Sequence, residues 1–374
     1  MRNVTSCSFE LRDLSLTKDT RRFLDMTRLA LAPSLRRLAL HGTASQLKKF
    51  TTFTDLDNME DLELHLDYQG HAKPNATQDE ILASKQSEAE DVQEAIVPFV
   101  NDRKDTLQSF TLVSYSSVNL SHFFRALGLF PRLRFLSIKA RVDEAHLSDT
   151  NALVEFLHKH RSSLLHLDIR PCIPDIGDSK WISNEHTLKL KDESWARVQG
   201  ALARDRGSLL ALEGLHLPVG SLTLSTQVIS RTLPTLTHLS LADRTLNMEE
   251  LKQILEVFAD RPLRLKSLLL EVTELKVDVL QLLANRIPGL QSLVLLYDEI
   301  FMNLEHALQL HTHTAHDYFV SVLLKLEPGQ LEWNLRHVAL LPRRNTHLVQ
   351  VLAKTIPSIE SFKAIRYHRA AFVR

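Results

Sequence analysis

The chain has 374 residues, 44% of them hydrophobic, and its 45 Lys and Arg residues balance 45 Asp and Glu residues. This balance removes the electrostatic reason to expect a nucleic acid or an anionic membrane as partner. No apolar run approaches the ~18 residues that a membrane span needs, and the start of the chain lacks the apolar segment of a secretory signal. The two cysteines, Cys7 and Cys172, predict no disulfide framework and a reducing compartment, cytoplasmic or nuclear.

A short phrase of the form Leu-x-x-Leu-x-Leu recurs along the chain. Between Pro234 and Ile300 it occurs three times, starting at Leu236, Leu265 and Leu290. Recurrence of this phrase every ~20–29 residues is the signature of leucine-rich repeats. In an extended strand its fourth and sixth residues point to the same side, so their leucines enter a core that neighbouring repeats complete.

The repeats predict an α/β fold with a single domain over residues 1–374. We expect a leucine-rich repeat solenoid, a curved horseshoe with parallel strands on its concave face and helices on its convex face.

The N-terminal copies are evenly spaced. The phrase Leu11–Leu16 is followed by copies that end at Leu40 and Leu64, an interval of 24 residues both times. An earlier strand around Val4–Phe9 is an alternative start. Apolar residues within Asp19–Leu31 predict a short helix on the convex side.

Residues 67–105 take the place of one repeat, because the next copy, ending at Leu112, comes at twice the usual interval. The segment starts with a loop-like composition, and Thr77 and Glu80 spell a helix capping box. Two interpretations stay open: a loop followed by a long convex helix, or a mobile acidic element that controls access to the solenoid. We expect residues 69–90 to be the most mobile part of the chain.

The remaining copies end at Ile138, Ile169, Leu217, Leu241, Leu270, Leu295, Leu340 and Ala364. A weak copy surrounds Leu188 and Leu190. Residues 301–330 read as a helical insertion, with Pro328 and Gly329 as its stop signal.

No catalytic motif is present, and we expect neither an enzyme nor a cofactor. Glycine is scarce, 10 residues, and no phosphate-binding glycine loop occurs. Cys172 follows His166 and Asp168, which offers a nucleophile and a base. It also falls at the turn position that leucine-rich repeats fill with Asn or Cys, and this favours a packing role.

One histidine cluster resembles a metal motif, namely His311, His313 and His316, with His306 just before. On a helix His313 and His316 share a face, but His311 and His313 do not. No cysteine pair accompanies them, so we interpret them as solvated histidines and expect no metal site.

Residues three, five and seven of each phrase line the concave face of such a solenoid, and there we expect a protein partner. Toward the C-terminal end this surface becomes apolar, which is typical of a contact site. The alternative is that the 301–330 insertion or the C-terminal tail covers it. The predicted contact residues are Phe135, Lys139, His166, Asp168, Arg170, Leu269, Glu271, Val294, Leu296, His337 and Leu341.

Several copies are introduced by Pro-x-Leu, as at Pro33–Leu35, Pro131–Leu133, Pro234–Leu236 and Pro288–Leu290. In this feature, and in its irregular repeat length, the chain resembles the leucine-rich repeat regions of fungal F-box proteins. The resemblance implies substrate recognition for a cullin-type (SCF) ubiquitin ligase, reached through a Skp1-type adaptor that binds the F-box. The first repeat begins by residue 11 at the latest, so we expect no F-box before it and a Skp1-type adaptor as partner only if an F-box exists outside this chain. The alternative function is a free-standing scaffold or adaptor.

Overall fold

A computed structural model describes residues 4–12, 17, 19, 22, 26, 33–51, 56, 58–67, 77–172, 184–205, 207, 209–259, 264–326, 331, 333–341 and 346–362. The chain divides into two compact units, Met1–Ala211 and Leu212–Arg374. Strands and helices alternate in both units. Within the described residues, no helix combines the length and the apolar character required to cross a membrane.

The described part of the first unit contains six strands, and a π-helical turn, Val92–Ile96, joins its second and third described helices. Its strands are β1 (Ser6–Glu10), β2 (Arg37–Gly42), β3 (Asp61–Leu66), β4 (Ser109–Ser114), β5 (Phe135–Ala140) and β6 (His166–Pro171). Its described helices are α1 (Ala44–Thr51), α2 (Gln78–Asp91), α3 (Val97–Asn101), α4 (Leu120–Ala126), α5 (Thr150–Lys159) and α6 (Asn184–Arg204).

The second unit repeats the same alternation. Its strands are β7 (Gly214–Pro218), β8 (His238–Leu246), β9 (Ser267–Leu275), β10 (Ser292–Ile300), β11 (His337–Leu341) and β12 (Ser361–Phe362). Its described helices are α7 (Leu222–Thr232), α8 (Met248–Glu256), α9 (Val277–Arg286), α10 (Leu304–Gln309), α11 (Ala315–Leu324) and α12 (Thr346–Thr355).

Within each unit every strand pairs in parallel with the next strand along the chain. The register aligns equivalent leucines, as where Leu239 lies opposite Leu268 and Leu268 opposite Leu293. All three side chains are 1% exposed. Burying a leucine of this kind stabilises the fold by ~1.5–3 kcal/mol, so the rows of leucines account for the stacking. This is the predicted leucine-rich repeat fold of class α/β.

The first strand differs from the prediction. The partner of β2 is Ser6–Glu10, with Phe9 opposite Leu40, so placing the first paired strand at Leu11–Leu16 was wrong and the earlier alternative is confirmed. Leu11 is buried, and its backbone N–H donates to the His41 carbonyl at 2.7 Å, immediately after the strand. Residues 13–16 lie outside the described residues.

The weak copy around Leu188 and Leu190 is also wrong, because both residues lie within α6. The sequence of α6 is rich in Leu, Lys, Glu, Ala and Arg, which favour helix. Trp195, Val198 and Leu202 follow helical spacing and are buried. The packing of α6 as a helix therefore decides the structure here, although Leu188 and Leu190 match part of the strand phrase.

Residues 77–105 are largely helical. The predicted capping box is confirmed: the Thr77 side chain accepts from the Glu80 N–H, and the Glu80 side chain accepts from the Thr77 N–H. Gln78–Asn101 is then helical throughout, with the π-helical turn in the middle. Residues 68–76 lie outside the described residues, and the mobility of residues 69–90 stays a prediction.

Candidate functional site

The strands expose alternate residues on the face opposite the core leucines, which we call the outer face. Parallel register sets these residues in rows across neighbouring strands. One row of the first unit runs through Asp61, Ser109, Phe135 and His166. The rows bring the predicted contact residues of each unit side by side.

The outer face of β5 and β6 is polar. Arg170 Nε donates to Asp168 at 2.9 Å, and Ser137 Oγ donates to the same carboxylate at 3.2 Å. The rings of Phe135 and His166 lie 6.5 Å apart between centroids. Lys139, opposite Arg170, is exposed. This surface therefore presents cations and one aromatic ring around a carboxylate that already has two partners.

The outer face of β9–β11 is largely apolar. Leu269 lies opposite Val294, and Leu296 lies between Glu271 and Leu341. Val294 is 7% exposed, while the other four side chains are half-buried. The aliphatic side chains thus form a contiguous patch across three strands.

The edges of this patch are polar. His337 Nδ1 lies 2.7 Å from Ser361 Oγ, and Asp298 and Glu299 near the end of β10 are exposed. The apolar patch therefore has acidic groups close to one end.

The helices within the predicted 301–330 insertion are α10 and α11. Helix α11 packs against α9 and α12 in the helical layer of the second unit. It buries Phe319, Val320 and Leu323. These contacts give no support to the alternative in which α11 covers the outer face. Residues 327–330 and 363–374 lie outside the described residues.

Cys172 follows β6 and is 9% exposed. Its Sγ donates to the Ser114 carbonyl at 3.5 Å. A buried thiol that bonds the backbone behaves as a packing residue. This geometry agrees with the packing role predicted from its place in the repeat.

A second group on the outer face was missed from the sequence. Within the described residues, His41, Glu63 and His65 form the one group of three His, Cys, Asp or Glu residues whose ligand atoms all lie within 4.8 Å of one another. The histidines at 306–316 form no such group there. The signal was present in the repeat frame, because His41 and His65 occupy the same position of successive copies.

No protein-family model matches the chain, and the comparison with curated proteins gives no match. Among solved structures, the leucine-rich repeat-containing protein LegL7 from Legionella pneumophila matches 95% of this chain and 93% of its own, with 13% identity and a TM-score of 0.43. The yeast Rad7 and Elc1 complex contains a chain matched over 80% of this chain and 72% of its own, with 15% identity and a TM-score of 0.45. A Bacteroides fragilis protein matches 80% of this chain and 71% of its own, with 16% identity and a TM-score of 0.34. At such identities and TM-scores none of them identifies a family, an activity or a partner.

Proposed function

We propose that the chain is a protein-binding module whose partner docks on the outer face of β9–β11. The observation that carries this proposal is the aliphatic patch of Leu269, Val294, Leu296 and Leu341. Alternation along a strand keeps these side chains out of the core, since Leu268, Leu270, Leu293 and Leu295 already fill the opposite face. A partner that covers them removes apolar surface from water at ~25 cal/mol per Å².

The chemistry of the patch favours a particular kind of partner. Aliphatic side chains on three neighbouring strands suit a segment with its own apolar side chains. Asp298 and Glu299 near the end of β10 favour basic residues beside that segment, because opposite charges steer association and fix its orientation.

The polar surface of β5 and β6 is the second predicted contact region, with Phe135, Lys139, His166, Asp168 and Arg170. Charged groups on such a surface contribute more to specificity and association rate than to affinity. We therefore assign the anchoring role to the patch on β9–β11.

The finer role, substrate recognition for a cullin-type ubiquitin ligase, rests on the Pro-x-Leu resemblance alone. A free-standing scaffold or adaptor is the competing role. Recovery of a Skp1-type adaptor with the full-length native protein supports the ligase role, and its absence from every preparation supports the scaffold.

The experiment compares wild type with the Leu269→Asp/Val294→Asp double variant. Tagged protein is incubated with an extract of the native cell, and retained proteins are identified by mass spectrometry. We expect at least one protein retained by wild type to be lost with the double variant, while the melting temperature falls only by the several degrees that a cost of ~1–3 kcal/mol at the largely buried Val294 implies. A steep fall in melting temperature would instead mean that the chain itself covers the patch.

The matched control is the Phe135→Ala/Arg170→Ala variant, on the polar outer face of the first unit. We expect it to keep the partner that the double Asp variant loses, with weakened retention at most. A double Asp variant that folds and still retains every partner contradicts the proposal.

A further inference from the structure

Four side chains with metal-binding atoms meet on the outer face of β1–β3. Glu10 lies opposite His41, and His41 lies opposite His65. Glu63 is two residues before His65, on the same face of β3. Parallel strands lie ~4.8 Å apart, so residues that share a row are held side by side without any special loop.

The imidazole rings are already close together. The centroids of His41 and His65 are 3.8 Å apart, and the ring planes differ by 23°. His65 Nε2 lies 2.5 Å from Glu63 Oε1, and His41 Nδ1 lies 3.3 Å from Glu10 Oε1. Each histidine therefore has a carboxylate beside a ring nitrogen.

These distances can be compared with those of a zinc site. Zn²⁺ binds imidazole nitrogen and carboxylate oxygen at about 2.0–2.2 Å, so ligand atoms around a tetrahedral ion lie roughly 3.5 Å apart. The ligand atoms of His41, Glu63 and His65 all lie within 4.8 Å of one another. Rotations of the side chains that move each atom by ~1 Å would close this gap.

The charges around the pair also permit a cation. The Asp67 and Glu10 carboxylates favour a positive charge at His65, whereas the Arg12 and Lys139 cations oppose it. The Arg12 guanidinium is paired with Asp67, so much of its charge is offset locally.

We propose that His41, His65 and Glu63 bind a divalent transition metal of the Zn²⁺ type, with Glu10 as the fourth ligand or as the carboxylate that orients His41. Two imidazoles with carboxylates suit Zn²⁺, Ni²⁺, Cu²⁺ or Co²⁺, whereas Ca²⁺ and Mg²⁺ prefer oxygen ligands. The site would tie β1, β2 and β3 together. It belongs to the first unit, whereas the patch assigned to the protein partner belongs to the second, and the inference does not depend on that assignment.

The test uses the full chain, stripped with a chelator and exchanged into buffer at pH 7.5. Zn²⁺ binding is measured by competition with a chromophoric chelator, and Co²⁺ binding by its visible absorption. We expect wild type to bind one equivalent of Zn²⁺ and to give the Co²⁺ spectrum of a site with nitrogen and oxygen ligands. The His41→Ala/His65→Ala variant should lose this binding.

A conservative variant guards against loss of fold. Glu63→Gln keeps the side-chain volume and should weaken Zn²⁺ binding by tenfold or more, while Glu10→Gln should weaken it ~10–100-fold if it orients His41. Circular dichroism and melting curves check that each variant is folded.

The matched control is His311→Ala/His313→Ala, which removes two histidines of the other cluster and should leave Zn²⁺ binding unchanged. Three results overturn the proposal: no Zn²⁺ binding by wild type, unchanged binding in folded Glu63→Gln, or loss of binding in His311→Ala/His313→Ala.

Discussion

The first and second units have the same kind of core and different outer faces. In the first unit Leu62 lies opposite Phe110, and in the second Leu268 lies opposite Leu293, each pair buried between the strands and the helices. On the outer face, the fifth residue of the phrase is Ser137 in β5 and Val294 in β10. One bonds a carboxylate, and the other packs among aliphatic neighbours.

This difference reflects the separate requirements on the core positions and the outer positions of each strand. Core positions must be apolar, because no single repeat can bury its own leucines and each depends on its neighbours. Outer positions carry no such requirement, so one backbone supports a polar face in one unit and an apolar face in the other. Functional residues of this fold are therefore expected at the positions that the repeat leaves open.

The largest effect should come from the shared core and should be similar in both units. Leu62→Ala and Leu293→Ala each remove a side chain that is no more than 1% exposed, and each should lower the free energy of unfolding by ~2–5 kcal/mol as a cavity forms. Urea unfolding followed by circular dichroism measures this. Gln291→Ala, just before β10, is the control and should cost less than ~0.5 kcal/mol. Equal losses in all three variants would mean that the repeat register is wrong.

His160 tests a polar feature inside the first unit. Its Nδ1–H donates to the Phe156 carbonyl at 2.7 Å, and its Nε2 accepts from the Phe130 N–H at 2.9 Å. His160 is 1% exposed, so His160→Phe leaves a buried N–H without its acceptor. We expect a loss of ~1–3 kcal/mol in the free energy of unfolding at pH 7.

The pH dependence of the same variant sharpens this test. Burial is the main cause of the lowered pKa of His160. The Lys159 charge lowers this pKa further, whereas the hydrogen bond to the Phe156 carbonyl raises it. Below the ordinary histidine pKa of ~6.5, the unfolded chain binds the proton first, so stability contributed by neutral His160 is lost as the pH falls. His160→Phe should therefore lose less stability than wild type between pH 7 and pH 5. Part of the loss remains, because the pKa values of His65 and His238 are also lowered mainly by burial. An unchanged slope would contradict this assignment.

The outer faces should respond differently to one polar substitution. Val294→Asn places an amide among aliphatic neighbours and should cost at the low end of ~1–3 kcal/mol, since Val294 is still 7% exposed. Ser137→Asn lies beside Asp168, which supplies a hydrogen-bond acceptor, and should cost less than ~0.5 kcal/mol. Urea unfolding of both variants gives the comparison. Equal costs would remove the energetic distinction between the two faces.

The repeat pattern predicts the core well because each core leucine is specified by its spacing alone. Leu268, Leu270, Leu293 and Leu295 lie where the phrase places them. Spacing alone also explains the error at the first strand. Leu11–Leu16 matches the phrase, but tertiary contacts decide which residues pair with β2, and these are Ser6–Glu10.

The outer face could be predicted only in part. The rows of alternating residues follow from the phrase, so the neighbours Leu269 and Val294 were expected. The group of His41 and His65 does not show in the spacing of histidines along the chain, because its members lie on different strands, whereas that spacing does draw attention to His311 and His313. Ligands that lie across strands become visible only once the copies are aligned row by row.

The smallest predicted effect compares a helix cap in each unit. Asn247 caps α8 and accepts from the N–H groups of Glu249 and Glu250, whereas Thr77 caps α2 by a similar box. Loss of an N-cap costs ~1 kcal/mol. Helix α8 buries three apolar side chains, but α2 buries only Glu88 among its residues, so α8 is coupled more tightly to its core.

We therefore expect Asn247→Ala to lower the free energy of global unfolding by ~1 kcal/mol. Thr77→Ala should mainly increase amide hydrogen exchange in the first turn of α2 and change global stability less, because a weakly packed helix opens locally before the unit unfolds. Asn247→Asp keeps a capping oxygen and should retain most of the stability. If urea unfolding gave the same loss for Thr77→Ala as for Asn247→Ala, α2 would be as firmly coupled to its unit as α8, and the difference between these two helices would not hold.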